Sequence, residues 1–251
     1  MTHLTASGAA GNALVLCKEA ETRRLLVESL RPLAIHAEIC DEAVTAISLL
    51  DRRKFEAVIV DLRLGEEARL VMGHLRFSPA NRTAVTFAVT SEEPAQGTRA
   101  RPDSTFVLQR PLTVASVNQI FRAAYGLVVR ERRRYFRCLV AVPVYLGAQG
   151  IEELLCETVN ISEGGIAITC PTALDPDLPL RVRFNLPDRT NQLSADTRVC
   201  WSGKGELVGL QFLFLPSSQE SDLQEWLARK LDETLPADVA ALFRNIGQAP
   251  Q

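Results

Sequence analysis

The sequence predicts two domains in series, an α/β domain on a parallel sheet and then a small closed antiparallel β-barrel with a helix after it. Three observations carry that reading. The chain has 251 residues, which suits two domains of roughly 100–130 residues each. Up to about residue 129, short apolar runs alternate with segments of helical period. From Leu139 the period falls to two, with Gly, Pro and Asp breaking the chain at short intervals. A hydrophobic content of 47% against 23% charge leaves enough apolar material for two cores.

Residues 13–17 form a short apolar run suited to a strand covered on both faces. Residues 19–30 place Leu25, Leu26, Ser29 and Leu30 at helical spacing and stop near Pro32. A second strand spans 35–39. Asp41 is positioned to cap a helix in which Ala43, Ile47 and Leu50 share a face. The third strand, 56–61, ends in the carboxylate of Asp61. A helix over 66–76, a strand at 84–90, a poorly patterned stretch over 92–101, a strand at 105–108 and a helix from 114 to about 129 complete the first domain.

In the second domain Val140, Val142, Val144 and Leu146 alternate, and strands follow at 154–161, 165–169, 180–186, 193–201 and 207–215. Six strands with tight connections imply a closed barrel, which removes exposed edges. Residues 222–231 set Leu223, Trp226, Leu227 and Leu231 on one side of a closing helix, and 237–246 form a last amphipathic segment. Trp201 is expected in the barrel core, whereas Asp196 and Arg198 are expected to face water.

The composition excludes several classes. A net charge of −2 offers no global field toward DNA or an anionic membrane. No apolar run is long enough to span a bilayer, and the first residues lack a signal-peptide pattern, so a cytoplasmic protein is expected. Asn160-Ile161-Ser162 fits a glycosylation sequon, which a cytoplasmic chain never presents to the machinery. Cys17, Cys40, Cys138, Cys156, Cys170 and Cys200 are scattered, and with three histidines no metal site is expected. Most of these cysteines read as small buried hydrophobes.

Residues 130–137 contain five arginines. Such a run suits a helix end that complements the macrodipole, a nucleic-acid patch or an anion-binding hinge. Within it Arg133 and Arg137 form Arg-x-x-x-Arg, and Asn160, Ser162 and Gly165 form Asn-x-Ser-x-x-Gly about twenty residues later. In order and spacing the pair resembles the signature of PilZ domains, receptors for cyclic di-GMP. The resemblance implies a ligand site of Arg132, Arg133, Arg134, Arg137, Asn160, Ser162, Gly164 and Gly165, with the arginines on a flexible lead-in over the barrel. Guanidinium forks suit both phosphate oxygens and the O6/N7 edge of guanine. Gly165 would let the backbone approach the base.

The first domain resembles the receiver of two-component response regulators, a flavodoxin-like fold. Asp61 stands at the phosphoacceptor position, Thr90 at the hydroxyl position and Arg110-Pro111 where that family has Lys-Pro. Where receivers carry two adjacent acids, this chain has Cys17 and Lys18, with Glu19 one place late. Phosphoryl transfer to a carboxylate needs Mg²⁺ held by oxygen ligands to offset charge repulsion. The resemblance therefore implies a pseudo-receiver with a degenerate site at Asp61, Thr90 and Arg110, the carboxylate of Asp61 being paired to Lys18 or Arg110.

Together these readings give a non-enzymatic effector with no catalytic residues, metal or cofactor other than the ligand cyclic di-GMP. Binding at the arginine segment would reorient the two domains and control an unidentified protein partner. The first domain also offers a surface for homodimerisation. Nucleic acid and membrane insertion are not expected. The alternatives are a ligand-independent adaptor and a response regulator phosphorylated on Asp61.

Overall fold

The computed structural model describes residues 10–91, 105–148, 151–176, 178–235, 237 and 241. They form two compact units, the second spanning Arg133–Glu233 and the first taking the chain on either side of it. The segment 92–101 lies outside the described residues, and so does most of 237–246.

The first unit runs β1 (Gly11–Leu16), α1 (Ala20–Leu30), β2 (Ile35–Cys40), α2 (Ala43–Arg52), β3 (Ala57–Asp61), α3 (Glu66–Phe77), β4 (Val85–Thr90), β5 (Thr105–Gln109) and α4 (Val114–Tyr135). Its strands pair in parallel in the order β2-β1-β3-β4-β5, a doubly wound, receiver-like sheet whose carboxyl edge carries Asp61 and Thr90. Leu14, Val15, Leu16, Val58, Ile59 and Val60 are fully enclosed, as expected of central strands covered by helices on both faces. Pro32 closes α1 in a single 3₁₀ turn, after which Ala34 takes a left-handed backbone with φ of 54°. Asp41 does not cap α2. Glu42 holds that position in extended backbone and makes no side-chain cap bond.

Helix α4 passes residue 129, where it was expected to end, and runs to Tyr135. Arg132, Arg133 and Arg134 therefore lie in helical turns and not on a flexible lead-in. Arginine is a good helix former, and guanidinium groups complement the partial negative charge of a helix C-terminus. Glu131, itself buried, is bonded to Lys54 Nζ and Thr83 Oγ1, each at 2.5 Å.

The second unit contains β6 (Cys138–Leu139), β7 (Pro143–Ala148), β8 (Ile151–Ser162), β9 (Gly165–Thr169), β10 (Leu180–Asn185), β11 (Gln192–Ser202), β12 (Leu207–Phe214) and α5 (Ser217–Thr234). The sheet order is β6-β8-β7-β10-β11-β12-β9, and β9 pairs back onto β8. That pairing closes a six-stranded antiparallel barrel, with β6 added as a short strand beside β8. Val144, Ile161, Ile168, Val182 and Phe184 point inward, and α5 packs Leu223, Trp226 and Leu227 on the same cluster. Trp226 is fully buried and donates its Nε1 hydrogen to Pro187 O at 3.1 Å. Each such side chain contributes roughly 1.5–3 kcal/mol of burial.

The register contains two single-residue bulges that matter below. Thr158 pairs with Ile168 but Asn160 pairs with Ala167, leaving Val159 as the extra residue of β8. Val199 pairs with Leu210 but Trp201 pairs with Gly209, leaving Cys200 as the extra residue of β11. Each bulge reverses the inside–outside alternation beyond it.

Candidate functional site

The two motifs meet on the barrel. Just after α4, Arg137 leads into β6, whose Cys138 and Leu139 pair with Ile161 and Asn160. The chain beyond β6 is pinned by buried Thr158, whose hydroxyl donates to Val140 O at 2.6 Å and accepts from Val142 N at 2.9 Å. Exposed Arg137 donates from Nη1 to Asn160 Oδ1 at 3.2 Å, so the first motif touches the second. The bulge at Val159 is what brings Asn160 to the outer surface. Thr158 points inward, and strict alternation would have sent Asn160 inward too.

Ser162 and Gly165 frame the two-residue hairpin of Glu163 and Gly164. The buried Ser162 hydroxyl donates to Gly165 O at 2.9 Å and closes that turn. Phe212 N donates to Gly164 O at 3.0 Å, fixing the hairpin to β12. A Cβ on Gly165 would fall 2.1 Å from Leu210 O, so the glycine is required by the barrel's own backbone. Nothing lies within 4 Å of a Cβ on Gly164, which leaves the tip of the lip open.

The four arginines separate. Arg137 is exposed beside Asn160; Arg134 is exposed, with its guanidinium carbon 5.9 Å from the Tyr135 ring centroid. Arg133 is half-buried in the last turn of α4. Arg132 stands apart from them. It belongs to the first unit, and its guanidinium lies 3.7 Å from Glu56, a carboxylate buried below β3. Burial pushes the Glu56 carboxyl up, while Arg132 opposes that rise. Arg132 thus anchors the end of α4 within the first unit.

Trp201 is not in the barrel core. It is 46% exposed, because the bulge at Cys200 turns it outward opposite Gly209. Arg198 is exposed as expected, and its guanidinium donates to Gln211 Oε1 at 2.9 and 3.0 Å. The sequence pattern missed the placement of Trp201. Gly209, eight residues downstream and able to accept a ring against its backbone, was the available signal.

In the first unit, Asp61 is 2% exposed and held by two guanidinium groups. Arg63 donates from Nε to Oδ1 at 3.3 Å and from Nη2 to Oδ2 at 3.0 Å, while Arg110 Nη2 reaches Oδ2 at 2.9 Å. The Cys17 thiol adds a contact at 3.5 Å. Burial pushes the Asp61 carboxyl up, but the bonds from Arg63 and the charge of Arg110 outweigh it and hold it below its ordinary value. Glu19 bonds Thr22, Arg110 and Arg63 and is pulled down to about 2 in consequence. Thr90 is at the adjoining strand end, where its carbonyl accepts from Arg110 N at 2.8 Å. Lys18, expected beside Asp61, pairs with Glu67 at 2.7 Å instead. The receiver signature in the sequence does not single out Arg63. Its place two residues after Asp61 was the signal.

Cys17, Cys40, Cys156 and Cys170 are buried free thiols, and burial pushes Cys40 and Cys156 up to about 12. Among the described residues, no His, Cys, Asp or Glu cluster could hold a metal ion, and no helix is long and apolar enough to cross a membrane.

A family model described as PilZ domain matches residues 131–229, the stretch that carries both motifs and the closed barrel. This chain contains a PilZ domain. Among solved structures, the PilZ domain resembles part of the Bacillus subtilis inhibitor of motility MotI/DgrA, at 23% identity and a TM-score of 0.35, over 39% of this chain and 51% of that one. The chain therefore spans about half the length of that protein. The PilZ domain of CeSA from a cellulose-synthesizing bacterium matches at 21% identity over 37% of this chain and 94% of that one, with a TM-score of 0.31. A CheY-like receiver domain from Methylobacillus flagellatus matches at 24% identity over 45% of this chain and 96% of that one, with a TM-score of 0.38. Among curated proteins, none matches.

Proposed function

We propose that this protein is a cyclic di-GMP-binding effector in which the PilZ domain takes the ligand and the receiver-like domain serves docking or dimerisation. The observation that carries the proposal is the 3.2 Å hydrogen bond from Arg137 to Asn160, which joins the two motifs of the PilZ signature on one outward surface. The PilZ family binds this nucleotide. Its two phosphates and two guanines both suit guanidinium forks. Arg137 is the principal fork, Arg133 and Arg134 supply further positive charge from the end of α4, and Asn160 offers an amide. Ser162, Gly164 and Gly165 shape the lip. Arg132 is assigned to anchoring α4.

Regulation then follows from the position of the arginines. Arg133 and Arg134 sit at the end of the same helix that Arg132 and Glu131 tie into the first unit. Ligand drawn to Arg133 and Arg134 acts on that helix end and alters the relation of the two units, which changes the surface offered to a protein partner. A ligand can shift such an equilibrium only by its difference in affinity for the two states.

Titration calorimetry of the full chain with cyclic di-GMP is the test. Saturable heat in the micromolar range is the expected result, lost when Arg133 and Arg137 are both changed to alanine. Each charge-assisted contact is worth about 1.5–3 kcal/mol. No heat from verified folded protein would favour a ligand-independent adaptor. The alternative of phosphorylation on Asp61 has against it the two guanidinium groups that occupy the carboxylate.

A further inference from the structure

Two of the buried thiols lie against each other. Glu157 of β8 faces Thr169 of β9, so one step toward the root of that hairpin Cys156 faces Cys170. Both side chains turn into the barrel core, at 5% and 2% exposure. The two thiols are hydrogen-bonded to each other. Cys170 donates its own hydrogen to Thr172 O at 3.2 Å, so the hydrogen between the sulfurs is that of Cys156. The other four thiols meet oxygen: Cys17 at Glu19 and Asp61, Cys40 at Val15, Cys138 at Leu139 and Cys200 at Gln211. Directly opposed residues of antiparallel strands have Cα atoms about 4.5–5.5 Å apart. A disulfide spans about 4.4–6.8 Å, so joining this pair asks for side-chain rotation and no large backbone shift.

The place of the pair gives the bond a consequence. A link between residues 156 and 170 closes a ring that contains Asn160, Ser162, Gly165 and the bulge at Val159. A slip of one residue there would turn Asn160 inward, and a covalent tie at the root opposes that slip. Access to the sulfurs is restricted. Burial pushes the Cys156 thiol up to about 12, so the closed barrel holds little of the reactive thiolate. Cys170, however, follows the last residue of β9, and the chain leaves the sheet at Pro171. Strand ends open at lower cost than a whole barrel, and such opening exposes the pair while the rest stays folded.

We propose that Cys156 and Cys170 are an oxidation site, a dithiol that peroxide converts slowly to a disulfide across the root of the β8–β9 hairpin, locking the register of its lip. A thiolate first attacks one peroxide oxygen, the O–O bond breaks, and a sulfenic acid and one water result. The second sulfur then attacks the sulfenic sulfur. An S–S bond forms, the S–O bond breaks, and the oxygen leaves as a second water. Two thiols are oxidised and one peroxide is reduced to two waters. The inference is independent of the ligand reading, since it needs only the paired thiols.

The experiment incubates the folded, reduced full chain with hydrogen peroxide at mildly alkaline pH, which raises the thiolate fraction. Remaining thiols are then blocked with iodoacetamide and the peptides mapped by mass. The expected product has lost two hydrogens, carries a peptide linked through Cys156 and Cys170, and reverts with dithiothreitol. It is expected to melt about 5–15 °C higher than the reduced protein, and amides 160–165 to exchange hydrogen more slowly. Cys170→Ala is expected to form no such link. If both thiols stay free, pass to sulfinic acid without a link, or join other cysteines instead, the site is overturned. A link that leaves exchange at 160–165 unchanged overturns the register lock. Should Cys170→Ala fail to fold, the wild-type peptide map and its reversal decide.

Discussion

Arg110 holds Asp61: its Nη2 lies 2.9 Å from the Oδ2 of a carboxylate that is 2% exposed. Arg63 grips the same group with Nε and Nη2. Two guanidinium groups thus occupy the oxygens that a phosphorylatable receiver would turn toward Mg²⁺ and phosphate. Cys17 stands beside them where an acid would help to hold the ion.

Incubation with acetyl phosphate and Mg²⁺ is accordingly expected to leave the intact mass unchanged. Asp61→Ala is expected to lower the stability of the first unit by about 1.5–3 kcal/mol, the worth of hydrogen bonds to a charged group. A mass gain of one phosphoryl group on the wild type, lost in the Asp61 variant, would contradict this account.

The same cluster sets an acid response. Glu19 is depressed from 4.5 to about 2, chiefly by its bond from Thr22 and then by Arg110 and Arg63. Asp61 is also depressed. A depressed carboxyl stabilises the fold above its unfolded value, and that contribution is lost as pH falls through the folded value. Glu56 works the other way, since its raised carboxyl favours the fold at low pH and loses that contribution as pH rises through the raised value. Melting of the wild type against Glu19→Gln should show a difference at neutral pH that disappears between about pH 4.5 and 2. A constant difference across that window would assign the effect to something other than ionisation.

Arg137→Lys separates charge from geometry. Lysine keeps the positive charge but loses the planar fork. Affinity for cyclic di-GMP should fall by about 1.5–3 kcal/mol, with the melting temperature of the ligand-free protein unchanged, because Arg137 is exposed. Equal affinity for the lysine variant would reduce Arg137 to a point charge.

Adjacent glycines should behave differently. Gly165→Ala drives a Cβ to 2.1 Å from Leu210 O and should destabilise the barrel by about 1–3 kcal/mol in chemical denaturation. Gly164→Ala meets nothing within 4 Å and should stay within about 0.5 kcal/mol. If Gly164→Ala nevertheless weakens ligand binding, the open tip of the hairpin is where the ligand approaches.

Much of this molecule was legible along the chain. Runs such as 57–61 and 85–90 mark strands covered on both faces, and the period of two through 140–146 and 193–199 marks barrel walls. These patterns are local because side-chain direction repeats every two or 3.6 residues whatever the partner. The Arg-x-x-x-Arg and Asn-x-Ser-x-x-Gly motifs were legible for the same reason. The length of α4 was not, because its last turns are secured by Lys54 and Thr83, which are far from Glu131 in sequence.

What the amino-acid order determined by itself, then, is the succession of the two domains, their strands and most of their helices, and the residue types available to hold an anion. Tertiary structure decided which of those residues meet. It paired Asp61 with Arg63 and Arg110 while Lys18 went to Glu67, and Arg132 with Glu56 while Arg137 went to Asn160. It also set Trp201 and Asn160 on the outer wall through the extra residues Cys200 and Val159. The physical reason is that ion pairing and strand register are relations between distant segments. One inserted residue reverses the face of everything after it, and where it is absorbed depends on the strand alongside.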